Sequence, residues 1–502
     1  MSQSLRDART FEEERERFIR PDNRPAFHLS ARVGWMNDPN GFCWYNGQDH
    51  MFYQYHPYDS HWGPMHWGHA VSRDLLHWDY LPAVLAPDMP YDHAGCFSGS
   101  AAELPDGRHL LMYTGVSHEL TESGELRDVQ TQNLAVGDGV NYRKYAHNPV
   151  LTADDLPEGG SRFDFRDPKM WREADGSYRM VAVNDAARGG GQVLLYRSAD
   201  GFRWELAGVL AENGERIGRM WECPDFFRLD GYDVLLASAQ DMLPKGFEYH
   251  NGNGTVCLIG HFDPKSRRFI PESDHAVDYG IDFYAPTTIL MPDGRRVMIG
   301  WMQNWDTTKL TGRKDRRWFG QMSLPREICI RNGRLYQQPI RELEKLRRGG
   351  VNYENVRIED EMHLDGITGR TVDLTITVRP APGEPMYHNF AVRFMQNERF
   401  YTELTYRTRE SILRIDRKFS GSRRAYIHQR RCLVPNRNGE IKLRLILDRF
   451  SAEIFINDGE QTMTATILTE LSASDISFVA DGAVNIDVTK YDLLWEDNHE
   501  TV

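Results

Sequence analysis

Gly34-Trp35-Met36-Asn37-Asp38-Pro39-Asn40-Gly41 opens a run that continues through Phe42-Cys43-Trp44-Tyr45 to Asn46-Gly47. Asn, Asp, Pro and Gly are turn residues, so on local chemistry the opening reads as a turn. Asn46-Gly47 is a two-residue hairpin signal, because both residues tolerate positive φ. Four more such pairs lie between strand-like runs: Asp106-Gly107, Asp175-Gly176, Asp230-Gly231 and Asp293-Gly294. Successive pairs stand 60, 69, 55 and 63 residues apart. A second marker keeps step with the first. It is an apolar strand ending in Asp with an aromatic soon after: Asp74 with Trp78, Asp138 with Tyr142, Asp200 with Trp204, and a weaker copy, Asp263 with Phe269. These Asp residues are 64, 62 and 63 apart. A repeat of roughly 60 residues holding about four short strands predicts a propeller blade. Five hairpins predict an all-β chain with a five-bladed β-propeller over residues 26–340. A sandwich with unrelated turns does not explain the regular spacing.

Eight residues before the hairpins stand Asp38, Ser98, Asp167, Glu222 and Ala285. If each hairpin closes the innermost strand pair of its blade, these five ring one mouth of the central channel. Three of them are acids. Like charges forced together raise one another's pKa, which costs stability unless they serve a purpose. A purely structural gathering of three carboxylates calls for a bound cation.

The rest of the chain bounds the possibilities. At 502 residues two domains are expected. A net charge of −13 and a pI near 5.8 argue against nucleic acid or an anionic membrane as partner. Residues 1–25 read as an N-terminal polar segment, with no apolar core of a secretory signal, and no apolar run is long enough to span a membrane. Six cysteines lie scattered without short paired spacing, which suits free thiols. These features predict a soluble, cytoplasmic protein. Residues 341–355 read as a linker, an amphipathic turn of helix ended by Gly349-Gly350. From 356 to 498 clean period-two alternation, as in Val372 to Val378 and Glu453 to Asn457, predicts a C-terminal β-sandwich. That domain is expected to carry no catalytic group. Its role is to cover the propeller flank, in a monomer or in a homo-oligomer formed through the sandwich.

Carboxylates facing one another across a small polar pocket suggest glycoside cleavage, in which one acid attacks ionised and another donates a proton. Arg166 is expected to keep Asp167 ionised. Trp221 and Cys223 flank Glu222 with poorly hydrating surroundings that favour its protonated form. Asn37 offers Asp38 an orienting amide. Glu222 is therefore the expected acid/base, Asp38 the nucleophile and Asp167 a fixed charge. The residues alone do not separate Asp38 from Asp167.

The motifs resemble those of glycoside hydrolase family 32, the invertases, fructanases and sucrose-6-phosphate hydrolases. The matching stretches are Trp35 to Gly41, Phe52-Tyr53-Gln54-Tyr55, Trp67-Gly68-His69-Ala70, Phe97-Ser98-Gly99-Ser100, Phe165-Arg166-Asp167-Pro168 and Trp221-Glu222-Cys223-Pro224-Asp225. Further stretches are Asp282 to Pro286, Gly300 to Gln303, Leu324 to Glu327, Leu447 to Arg449 and Phe455 to Gly459. The resemblance implies a propeller plus sandwich and a retaining mechanism on terminal β-fructofuranosides. It places the nucleophile on Asp38, the acid/base on Glu222 and the transition-state stabiliser on Asp167. It places fructose-holding residues on Asn37, Gln54, Trp62, Ser98 and Arg166.

Trp35, Phe97, Tyr284 and Trp301 complete the expected pocket, with Trp305 and Asp282 as further candidates. Ala285 is expected to leave room for the leaving sugar. No cofactor and no metal are expected: His56, His61 and His66 fit no ligand spacing. The expected partner is a small fructosylated oligosaccharide, sucrose or a short homologue. A sucrose-6-phosphate hydrolase is the alternative, and it needs a cationic patch, for which Lys245, His250 and Arg313 are candidates. A non-catalytic carbohydrate-binding propeller is the alternative from another class, but a pure binder has no use for a buried proton donor.

Overall fold

The computed structural model describes every residue except 122, 187–188, 215, 309–316, 422–426 and 495–502. Five antiparallel sheets follow one another as far as Pro339. Their first strands are Gly34–Tyr45, Gly95–Glu103, Gly160–Arg172, Trp221–Leu229 and Tyr284–Leu290. Each of these strands touches the next, and the fifth touches the first, so the sheets close a ring. They are the blades of a propeller.

Both sequence markers have a structural cause. The Asn-Gly and Asp-Gly pairs turn the chain between the first and second strands of every blade. Their glycines hold φ between 79° and 89°, a conformation in which a side chain is strained. The Asp of the second marker closes the turn between the third and fourth strands. Asp74 accepts from the N–H groups of Leu76 and His77, Asp138 from Val140 and Asn141, Asp200 from Phe202 and Arg203. Asp263 does the same with Lys265 and Ser266. Such side-chain turns are the reason Asp recurs there.

Two devices finish the ring. Between Trp301 and Arg326 the chain leaves the fifth blade, and Trp318–Phe319 pairs in parallel with Gly34 and Trp35 of the first. The polar N-terminal segment, unassigned in sequence, forms the helix Gln3–Glu16, with Ser2 accepting from Leu5 N–H as its cap. The helix lies on the outer strand of the first blade, Trp78–Leu85. Arg9 Nε donates to Ala83 O, and Ala83 N donates to Glu12 Oε1, so an otherwise open sheet edge is covered.

The expected linker over 341–355 is mostly strand. A 3-10 turn spans Arg341–Leu346, and the strand Arg347–Ile358 follows at once, paired with Val484–Leu493. Gly349 sits in a register break at φ 58°, so the glycine pair marks a bulge and not a helix stop. Two six-stranded antiparallel sheets form the sandwich, and the last strand among the described residues ends at Leu493.

One sandwich sheet is pressed against the propeller. Its edge strand Gln461–Thr466 is buried throughout and accepts from the propeller: Tyr279 N on Thr462 O, and Ile281 and Asp282 N on Thr464 O. Tyr279 and Ile281 share one apolar core with Ile454 and Met463. A polar network crosses the same boundary. His28 bridges Asp448 Oδ2 at 2.7 Å and Glu453 Oε1 at 2.8 Å. Arg326 donates to Glu453 Oε2 at 2.5 Å and to Asp278 Oδ2 at 3.0 Å. Burial opposes charge on His28, but its two carboxylate bonds prevail and lift it to about 9. Burial likewise opposes charge on Asp448 and Glu453, yet hydrogen bonds and the facing cations hold both below the usual carboxylate range.

Candidate active site

Every innermost strand breaks register near its start. The pairing skips between Met36 and Pro39, Cys96 and Gly99, Glu222 and Asp225, and Tyr284 and Thr287. In the third blade it skips between Arg166 and Lys169. Such bulges re-aim side chains, here into the mouth of the channel. Asp167, Cys223 and Ala285 hold φ of 61°, 47° and 50° in these bulges, and a proline follows each. The residue matching Asp167 in the fourth blade is thus Cys223. The count of eight lands one residue away, on Glu222, because that blade has one residue fewer between bulge and hairpin. Glu222 instead matches Arg166 and Tyr284.

Two interlocking groups result. In one, Ser98 Oγ donates to Asp38 Oδ2 at 2.8 Å, and Cys223 N donates to Asp167 Oδ2 at 3.0 Å. The Cys223 thiol lies 3.5 Å from Asp38 Oδ2 and 3.7 Å from Asp167 Oδ2, tying the two carboxylates together. Asp167 N donates to Thr114 Oγ1 at 3.0 Å and anchors the bulge. In the other group, Tyr284 OH donates to Glu222 Oε2 at 2.8 Å and Arg166 Nε to Glu222 Oε1 at 3.2 Å. Arg166 also reaches Asp164 at 3.0 Å, and Asp167 only at 3.9 Å.

This arrangement corrects one expectation. Burial pushes Asp167 up to about 7; Arg166 opposes, while Glu222 and Asp38 add to the rise. Arg166 does not hold Asp167 firmly ionised, because its nearest oxygens belong to Glu222 and Asp164. Asp38 is also raised, by burial first and the Glu222 charge second, with hydrogen bonds from Ser98, Asn37 and Cys223 opposing. Burial and the surrounding carboxylates drive the Cys223 thiol well above its ordinary range, so it stays a thiol. Asp38 Oδ1 is buried with no hydrogen-bond partner among the described residues.

The acids face a cavity of about 380 Å³. Asn37, Asp38, Gln54, Trp62, Phe97, Ser98, Arg166, Asp167 and Glu222 all line it. Trp62 is half exposed at the rim and meets Phe97 edge-on at 6.1 Å. Gln54 is fixed by its bond to Cys96 O at 2.9 Å. Three expected residues stand behind this lining. Trp35 donates to Asn37 Oδ1 at 2.7 Å and stacks on Phe319 and Trp305. Tyr284 is buried behind Glu222. Trp301 is fully buried against Trp35 and Trp305. Ala285 is buried, its N–H bonded to Ser238 Oγ, and makes no part of the lining. Asp282 is buried outside the cavity.

Trp305 lines the cavity, as do Gln240, Asp241 and Asn253, which the sequence reading missed. The last three belong to the second and third strands of the fourth blade, Tyr232–Met242 and Gly252–Asp263, so the ring period could not reveal them. Of the cations weighed for a phosphate, Lys245 is exposed and reaches Asp274 at 4.0 Å, away from the lining. Burial lowers His250 to about 4, so it is neutral. Arg313 lies outside the described residues. Among the described residues no group of three or more His, Cys, Asp or Glu is arranged to hold a metal ion. No helix among them is long and apolar enough to cross a membrane.

Comparison with known proteins gives the family. The model of the glycosyl hydrolases family 32 N-terminal domain matches residues 28–339, and that of the family 32 C-terminal domain matches 342–493. The chain is 38% identical to a raffinose invertase of Escherichia coli, covering 91% of this chain and 92% of that one. It is 36% identical to a sucrose-6-phosphate hydrolase of the same organism, covering 94% of each. Among solved structures, a GH32 beta-fructofuranosidase of Bombyx mori superimposes with a TM-score of 0.81 at 32% identity, covering 97% of this chain and 98% of that one. By its two domain matches and these relatives, the chain belongs to glycoside hydrolase family 32.

Proposed function

We propose that the protein is a β-fructofuranosidase that releases terminal fructosyl units from sucrose and short fructo-oligosaccharides by a retaining double displacement. The observation that carries this reading is the meeting of Asp38, Asp167 and Glu222 in one cavity, each with different partners. Asp38, oriented by the hydrogen bond that Ser98 Oγ gives its Oδ2, attacks the anomeric carbon of the fructosyl unit. Glu222, oriented by Tyr284 and Arg166, gives its proton to the departing oxygen. In the second step Glu222 takes a proton from water, which displaces the fructosyl unit from Asp38. Asp167 faces the oxocarbenium-like transition state and offsets its charge.

The preference for an unphosphorylated sugar rests on charge. Arg166 is the one cation among the described lining residues, and Glu222 and Asp164 already engage it. Asp241 adds a further carboxylate to the wall, which disfavours a phosphate. The reading extends to a cytoplasmic location, supported by six cysteines that are all unpaired. The test is a hydrolysis panel of sucrose, 1-kestose, sucrose-6-phosphate and inulin. Sucrose and 1-kestose are expected to give the highest kcat/KM. A preference for sucrose-6-phosphate would move the assignment to a phosphosugar hydrolase, and no turnover of any would leave a binding propeller.

A further inference from the structure

We infer that Arg417, a residue of the sandwich, is a positioning residue for the propeller's sugar pocket, acting through Asp282 and Thr307 on the loop that carries Trp305. The inference rests on the fructosidase reading above.

Arg417 follows the sandwich strand Ile412–Asp416 and is buried, yet it points out of its own domain. Its NH1 group meets Asp282 Oδ2 of the propeller at 2.5 Å and also donates to Thr466 O at 2.7 Å. Asp282 is wholly buried between the domains. Its Oδ2 accepts in addition from Thr466 N and Thr466 Oγ1, both at 2.7 Å. That leaves Oδ1, which accepts from Thr307 Oγ1 at 2.8 Å. Thr307, itself fully buried, closes the loop 303–307: its N–H donates to Asn304 O at 2.8 Å, and Asn304 N donates to its hydroxyl at 3.2 Å.

That loop makes part of the pocket wall. Trp305 lines the cavity and stacks on Trp35. Asp306 grips Asn253, another lining residue, accepting from its backbone N–H at 2.9 Å and its side-chain amide at 3.0 Å. Asn304 donates to Asn253 O at 2.7 Å and completes the clasp. A continuous set of charge-assisted and neutral hydrogen bonds therefore runs from the sandwich to two lining residues. None of its members reaches Asp38, Asp167 or Glu222. Arg430, also from the sandwich, is near enough to Asp306 and Asp282 to feel their charges.

An arrangement of this kind acts on substrate binding more than on bond cleavage. A purely structural ion pair would lower the melting temperature and leave the folded enzyme's kinetics alone. The test compares wild type, Arg417→Met, Arg417→Lys and Thr307→Val on sucrose, with melting curves to confirm folding at the assay temperature. Arg417→Met is expected to raise KM about tenfold with little change in kcat, in the range seen for couplings carried through packed networks. Arg417→Lys keeps the charge and should recover part of the loss. Thr307→Val cuts the relay without removing a charge from the domain boundary, so it serves if Arg417→Met fails to fold. It is expected to raise KM severalfold. A double variant with Trp305→Ala should show little further effect from Arg417→Met, since both act on one wall. Wild-type KM in folded Thr307→Val and Arg417→Met would overturn the inference. Fully additive effects with Trp305→Ala would overturn it too. A wild-type enzyme inactive on every fructoside would instead defeat the fructosidase reading, which the same assay shows separately.

Discussion

Two clusters of buried acids in this chain are built from the same residue types and carry opposite electrostatics. At the domain boundary, Asp448, Glu453 and Asp278 meet His28 and Arg326, and Asp448 and Glu453 are held below the usual range in spite of burial. In the pocket, Arg166 is the one cation shared by Asp164, Asp167 and Glu222, no ion pair reaches Asp38 among the described residues, and Asp38 and Asp167 are pushed up. Burial is common to both; the supply of cations and hydrogen-bond donors is what differs. The boundary sets two cations against three carboxylates and serves as a lock. The pocket is short of positive charge, a cost to stability that suits a site where a cation forms during reaction.

Deleting one member of each cluster separates the two roles. Asp38→Ala is expected to lower kcat/KM on sucrose by about 10⁴-fold or more, with a thermal melt no lower than wild type. Glu222→Ala should cost about 10²–10⁴-fold on sucrose and less on a fructoside with a good leaving group, which needs less protonation. Equal losses on both substrates would remove Glu222 from the acid role. Arg326→Met at the boundary should do the reverse. It leaves Asp278 buried without its cation and Glu453 with His28 alone, at a cost of about 3–5 kcal/mol in denaturant melts, with kcat of the folded enzyme unchanged. An Arg326→Met chain as stable as wild type would erase the contrast.

The clusters also respond to pH in opposite directions. Asp167 titrates near 7 when folded, above its ordinary 3.8, so its contribution to stability is present at low pH and is lost as pH rises through about 7. Asp167→Asn should therefore be more stable than wild type near about pH 8, by on the order of 4 kcal/mol, and equal to it near about pH 4. Asp448 and Glu453 are lowered, so their contribution is present at neutral pH and fails in acid. A stability gap for Asp167→Asn that stays constant across this range would contradict the account. The smallest effect concerns Ser98, whose bond favours ionised Asp38. Ser98→Ala should move the acidic limb of kcat/KM upward, and a downward move would contradict that bond's role.

How much of this was legible in sequence depended on whether turn chemistry or side-chain packing decided it. The blades were legible because each needs glycine at a left-handed hairpin position and the first four need Asp in a later turn, and both requirements are local. The lining was legible where it sits on innermost strands. It failed at Gln240, Asp241 and Asn253, which reach the cavity from elsewhere in the fourth blade. The count that found Glu222 succeeded although its alignment is one residue off, since Glu222 and Cys223 both belong to the site. In the sandwich, period-two alternation was read as the strands of a β-sandwich that covers the propeller flank. The polar positions Glu453, Thr464 and Thr466 are in fact buried against Arg326 and Asp282 of the propeller. Period two reports which residues share a face; it does not report what covers that face.

The most direct measurement is to identify the residue that carries the fructosyl unit. Glu222→Gln enzyme is mixed with a fructoside bearing a good leaving group, quenched in acid, digested and weighed. With Glu222 unable to activate water, the covalent intermediate accumulates. The account predicts the mass of one fructosyl unit on the peptide containing Asp38, absent when Asp38 is also replaced by Ala. The same label on the peptide containing Asp167, or release of the leaving group with no label anywhere, would contradict it.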